Sequence, residues 1–153
     1  MRPLLFVDFD KTLCFDNYWR SLEKNKFEKV ESLLFRAENQ LLADWLVGKR
    51  DYEEINKIVA TRLEMPYESL WQLFVDDCRS MKVVDGALQL ISEMKCDWRP
   101  ILITDNMDCF DRFTAPALEL ENHFDLIVNS ACYKMLKKDN DGELFKLCVK
   151  KLN

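Results

Sequence analysis

The sequence is poor in metal-binding residues of the soft kind. It has one histidine, His123, and six cysteines, Cys14, Cys78, Cys96, Cys109, Cys132 and Cys148, no two of them within four residues. With no CxxC pair and no second histidine, a zinc ribbon or Cys/His metal site is excluded. Scattered thiols with apolar neighbours read as reduced cysteines of a cytoplasmic protein. The chain also lacks any run of about 18 apolar residues, the length of a membrane span. Its apolar start, Leu4-Leu5-Phe6-Val7, is too short for a signal peptide. Positive charge is not in surplus: 22 Lys and Arg against 27 Asp and Glu leave a net charge of −5. That balance argues against a nucleic-acid surface. Internal repeats and low-complexity segments are absent.

What is there suits a folded globular chain. Of the 153 residues 48% are hydrophobic and 32% charged, enough for one domain or one domain with an insert. Leu4 to Val7 is a continuous apolar run that suits a strand buried on both faces of a parallel sheet. Residues 16 to 81 carry helical periodicity instead. Val30, Leu33, Leu34, Ala37, Leu41, Leu42 and Trp45 form one stripe that Gly48 stops. Asp51, with Glu54 three positions on, caps a second helix bearing Ile55, Ile58, Val59 and Leu63. Pro66 opens a third, with Leu70, Trp71, Phe74, Val75 and Cys78 as its apolar face. The α/β rhythm then returns: a helix over 85–95, a strand at Ile101-Leu102-Ile103, a helix over 108–120 that Pro116 ends or kinks, a strand at Leu126-Ile127-Val128, and a helix over 143–152. Strands alternating with helices predict an α/β, Rossmann-like parallel sheet. Residues 1–14 and 83–153 are its core, and 15–82 an all-helical insert.

Asp8 and Asp10 carry the strongest chemical signal. Residues two apart at a strand end point to one side, and open α/β sheets bind ligands at the carboxyl ends of their strands. Two neighbouring carboxylates repel, so they need a shared proton or a cation. Mg²⁺, a hard oxygen-seeking ion, meets that need. Asp8 can then attack phosphorus as a carboxylate nucleophile. Asp10 can protonate the leaving oxygen and later activate water.

The apolar run followed by Asp8-Phe9-Asp10-Lys11-Thr12-Leu13 resembles the first motif, DxDx[TV], of the haloacid dehalogenase-like hydrolases. Ile101-Leu102-Ile103-Thr104 resembles their second motif. Lys138 is the best match to the third-motif lysine, with Lys137 and Lys134 as competitors. Val84-Asp85-Gly86 resembles the return from a cap to the core. The resemblance spans essentially the whole chain. It implies Asp8 as nucleophile and metal ligand, and Asp10 as general acid/base whose carbonyl also ligates the metal. Thr104 and the Asp105 amide would hold the phosphoryl group, and Lys138 would neutralise charge on Asp8. The helical insert would be a cap over the site. An acid at position 10 favours phosphate esters over carbon–halogen cleavage. The expected activity is hydrolysis of a small phosphorylated metabolite through an aspartyl-phosphate. Sugar phosphotransfer and a non-catalytic binding domain are the alternatives.

The family's fourth motif, one or two aspartates ending a further strand, has no match before Lys150-Lys151-Leu152-Asn153. The expectation is a chain truncated at its C-terminus, with an unpaired edge on the first strand, weakened metal binding and little activity. Other polar residues read more plainly. His123 is structural or on the surface, Arg20 is in a surface ion pair, and Asp76-Asp77 are solvated. Asp105 and Asn106 can simply cap a helix. Asp139 to Asp141 resembles an incomplete calcium loop.

Overall fold

The computed structural model describes residues 2–36 and 39–152. Three parallel strands, β1 (Leu4–Val7), β2 (Arg99–Thr104) and β3 (Leu126–Asn129), form one sheet in the order β1-β2-β3. Phe6 pairs with Ile101 and Val7 with Leu102, while Ile101 pairs with Leu126 and Thr104 with Asn129. The central strand is the most apolar and the most buried; Ile101, Leu102 and Ile103 are each 2% exposed or less. Side-chain alternation divides its two faces. Ile101 and Ile103 pack with Val128, Leu144 and Cys148 under the last helix, α8 (Glu143–Leu152). Leu102 joins a second cluster on the other face. β1, at the edge, is only partly buried along its length.

Four helices lie between β1 and β2 before the chain returns: α1 (Lys24–Leu34), α2 (Gln40–Leu46), α3 (Tyr52–Leu63) and α4 (Tyr67–Arg79). The chain leaves at Cys14 and comes back at Val83. These two residues are bridged, and Val84 N donates to the Leu13 carbonyl at 2.8 Å. One apolar cluster runs from this helical insert into the sheet side. Trp19, Trp45, Phe74 and Ile55 share it with Phe9, Leu102 and Phe110. A short helix, α5 (Ala87–Met94), leads into β2. No helix among the described residues is long and apolar enough to cross a membrane.

Several elements differ from the sequence reading. The Val30–Trp45 stripe is two helices. Asn39 caps α2, its side chain accepting from Leu41 and Leu42 N, which starts a new helix in mid-stripe. Ala37 of that stripe lies outside the described residues. The helix expected over 108–120 runs over 108–117 and ends just past Pro116, but it contains a π-helical turn, Phe110–Thr114, before α6 (Ala115–Ala117), and a 3₁₀ turn follows. The Pro116 ring has no N–H and crowds the carbonyl four residues back, so the backbone widens ahead of it. α5 begins two residues late because Gly86 takes the left-handed φ of +76°. Asp77 is not solvated but 2% exposed, since helical phase places it with Leu70 and Phe74 on the inner face of α4. Its carboxylate accepts from Ser21 N at 3.0 Å and Ser21 Oγ at 2.5 Å, and Arg20 lies 3.8 Å away. Asp51 does cap α3, accepting from Glu54 N at 2.8 Å.

Candidate active site

The strand ends converge as polar loops. Directly after β1, Asp8 Oδ1 accepts from Phe9 N at 2.8 Å. The following turn is tight: Leu13 N and Cys14 N both donate to the Phe9 carbonyl, and Lys11 takes φ 54°. Phe9 is buried against the Phe110 ring, which anchors the turn between the two acids. Asp10 is exposed at its surface. Partial desolvation raises its carboxyl above the ordinary value of 3.8, Lys11 opposes that shift, and the charge of Asp8 adds to it. The two acids therefore sense each other.

At the end of β2, Thr104 is fully buried and its Oγ1 has no hydrogen-bond partner. The next residues are held from β3. Asn106 N donates to Asn129 Oδ1 at 3.2 Å and to Ser130 Oγ at 3.0 Å, and Asn129 Nδ2 donates to the Met107 carbonyl at 2.9 Å. Asn106 Oδ1 in turn accepts from the Tyr18 hydroxyl at 2.8 Å. Asp105 Oδ1 accepts from Lys137 N at 2.8 Å, and burial raises its carboxyl above the usual range. The loop so fixed delivers a lysine to β1: Lys137 Nζ lies 2.5 Å from Asp8 Oδ2. A cavity of about 260 Å³ opens beside Asp10, lined from the core by Phe9, Lys11, Asp105 and Asn106 and from the insert by α1 and α2.

The fold recurs in solved structures. A HAD-family enzyme of Bacteroides thetaiotaomicron, solved with magnesium and inorganic phosphate, superposes with a TM-score of 0.70 at 12% identity, over 99% of this chain and 79% of that one. A predicted HAD-like hydrolase of Porphyromonas gingivalis gives 0.67 at 18% identity, over 100% and 78%. The L-2-haloacid dehalogenase of Xanthobacter autotrophicus gives 0.65 at 15% identity, over 100% and 66%. The fold is that of the haloacid dehalogenase-like hydrolases. No family model matches the sequence. No curated protein matches it either.

Of the three candidate lysines, the structure brings Lys137 to Asp8. Lys138 is exposed, Lys134 Nζ bonds the Gly48 carbonyl at 2.6 Å, and Lys137 reaches Asp8. No local pattern sets the phase of this loop. The Asp105 carboxylate, read as a possible cap, is what sets the phase by binding the Lys137 amide. Sequence reasoning also missed Asn129 and Ser130, although a polar pair ending an apolar strand is the same signal that marked Thr104. His123 pairs with Ser92 Oγ, away from the site, and Arg20 donates to the Asp77 carbonyl and Ser80 Oγ. Asp139 accepts from Leu136 N in a local turn.

The residues fit Mg²⁺ in part. Asp8 and Asp10 bring two mutually repelling carboxylates to one strand end. Among the described residues no group of three or more His, Cys, Asp or Glu gathers to hold a metal. Mg²⁺ commonly keeps several waters and binds through one or two carboxylates and a substrate phosphate.

Proposed function

We propose that this chain is a Mg²⁺-dependent phosphomonoester hydrolase that works through an aspartyl-phosphate at Asp8, with residues 15–82 as a helical cap. The observation that supports it best is the placing of Lys137 Nζ on Asp8 next to the strand end where the Thr104 hydroxyl is buried without a partner. A buried hydroxyl lacking a partner is costly in the free protein. A phosphoryl oxygen would satisfy it.

In the proposed reaction an Asp8 oxygen forms a bond to phosphorus as the bond to the leaving oxygen breaks. Asp10, with its raised affinity for a proton, gives that proton to the departing oxygen. Water then attacks the same phosphorus, Asp10 takes the proton, and the aspartyl bond breaks to release phosphate and restore Asp8. Lys137 and Thr104 hold charge on the phosphoryl oxygens, and the loop Asp105–Met107 keeps them in place. Asp8 and Asp10 would hold Mg²⁺, which would supply charge neutralisation around the phosphoryl group.

The test is phosphate release from an aryl phosphate with excess Mg²⁺. Release that disappears in Asp8→Asn and falls sharply in Lys137→Met supports the reading. Absence of release at any Mg²⁺ concentration refutes it. That result would favour a non-catalytic binding domain.

A further inference from the structure

The helix α1 and its C-cap residue present three side chains to the cavity at successive four-residue steps: Phe27 and Glu31 from the helix and Phe35 from the cap. That spacing lays them along one helix face, an acid flanked by two aromatic rings. Beside these the insert contributes an apolar stretch, Leu42 and Leu46 one turn apart on α2 and Met81 at the return, and a polar one where it begins, Asp16, Asn17 and Tyr18. Glu31 finds no counter-ion along its own helix, because positions three and four residues away are Phe27, Glu28, Leu34 and Phe35. Lys11 is the one cation lining the cavity among the described residues, and it sits at the floor beside Asp10. On the proposed reading the phosphoryl group enters at this floor, where Lys11 stands among Asp10, Asp16 and Asp105, and the roof suits a group that is apolar around a positive charge. Aromatic faces attract ammonium groups, and a carboxylate adds a direct charge partner. A second phosphate or a carboxylate at the same place would face Glu31 and be repelled. The volume, about 260 Å³, is below the usual range for pockets that take drug-sized molecules.

We propose that the cavity selects a compact phosphomonoester whose leaving group carries an ammonium, a short amino-alcohol phosphate in class, with the cation seated between Phe27, Glu31 and Phe35. This rests on the phosphatase reading of the same site. The discriminating probes are 2-aminoethyl phosphate and n-propyl phosphate, which match in size and differ in end charge, and the slightly larger 2-carboxyethyl phosphate, which carries the opposite charge. Binding is measured by calorimetry to the Asp8→Asn chain, so no turnover is needed, and phosphate release is measured with the unaltered chain. The expected order is amine, then propyl, then carboxylate, with roughly tenfold between the first two. In Glu31→Gln and Glu31→Lys chains the ratio of amine to propyl falls to one and below one. Equal binding of the three probes, or an unchanged ratio in Glu31→Lys, overturns the proposal. Failure of the phosphatase reading looks different: no phosphate is released from any probe, whatever the order of binding.

Discussion

Replacing Thr104 by valine separates stability from activity in opposite directions. Thr104 is fully buried and its Oγ1 has no partner. Burying an unsatisfied hydroxyl costs about 1–3 kcal/mol. Valine keeps the β-branched shape that suits β2 and removes the polar atom. With some loss for imperfect packing, Thr104→Val should stabilise the free chain by about 1 kcal/mol. For a domain of this size that is roughly 2–4 °C in Tm. The hydroxyl's use lies elsewhere. A hydrogen bond to a charged phosphoryl oxygen contributes about 1.5–3 kcal/mol, so kcat/KM should fall roughly 10- to 100-fold. Thermal unfolding without Mg²⁺ or phosphate reads the first effect and phosphate release the second. A Thr104→Val chain that melts lower than the parent would show that the hydroxyl already has a partner, and the reasoning fails. Unchanged kcat/KM would remove Thr104 from the site.

The remaining predictions are shorter. Lys137→Met should lower kcat/KM by about 10²-fold or more, as loss of a preorganised charge partner does, while Lys138→Met stays near the parent; the reverse ranking would restore the lysine first favoured by sequence. Gly48→Ala should destabilise by about 1 kcal/mol or more in urea unfolding, because Gly48 sits at φ +60° and a Cβ would overlap the Ala131 carbonyl; an unchanged midpoint would contradict this. Trp45→Phe removes the Nε1 donor 2.8 Å from Asp108 Oδ1. Burial already raises the Asp108 carboxyl above 3.8, and the Trp45 bond opposes it, so the variant's folded pKa rises further. A raised folded value means that the native state holds more protons than the unfolded chain, and stability is lost as pH climbs through that window. The deficit of Trp45→Phe should therefore be smallest below the ordinary aspartate pKa and grow by about 1.5–3 kcal/mol toward neutral pH; a deficit independent of pH would refute it.

Local signals carried much of this fold. The continuous apolar runs marked β1, β2 and β3 because buried parallel strands need both faces apolar. Asp51 and Gly48 marked helix ends because their backbone and side-chain chemistry acts within a few residues. The division of the Val30–Trp45 stripe was not legible, since an asparagine inside an apolar period is read equally well as a surface residue. The burial of Asp77 was hidden for a related reason: only its partners Ser21 and Arg20, more than fifty residues earlier, offset the charge. At the site, Asp8 and Asp10 stood out because two acids at a strand end are an electrostatic conflict. The choice among three lysines depended on a bond from Asp105 to a backbone amide 32 residues away, which no local pattern encodes. The Phe27–Glu31–Phe35 face needed the cavity before its spacing meant anything.

The central claim is that Asp8 becomes covalently phosphorylated. Acid quenching during turnover of a phosphomonoester, followed by mass analysis of the proteolysed chain, tests it directly. The N-terminal peptide bearing Asp8 should gain the mass of one phosphoryl group, and the gain should vanish in Asp8→Asn. Phosphate released in the assay with no adduct at any time of quenching, or an adduct on another residue, would contradict the account.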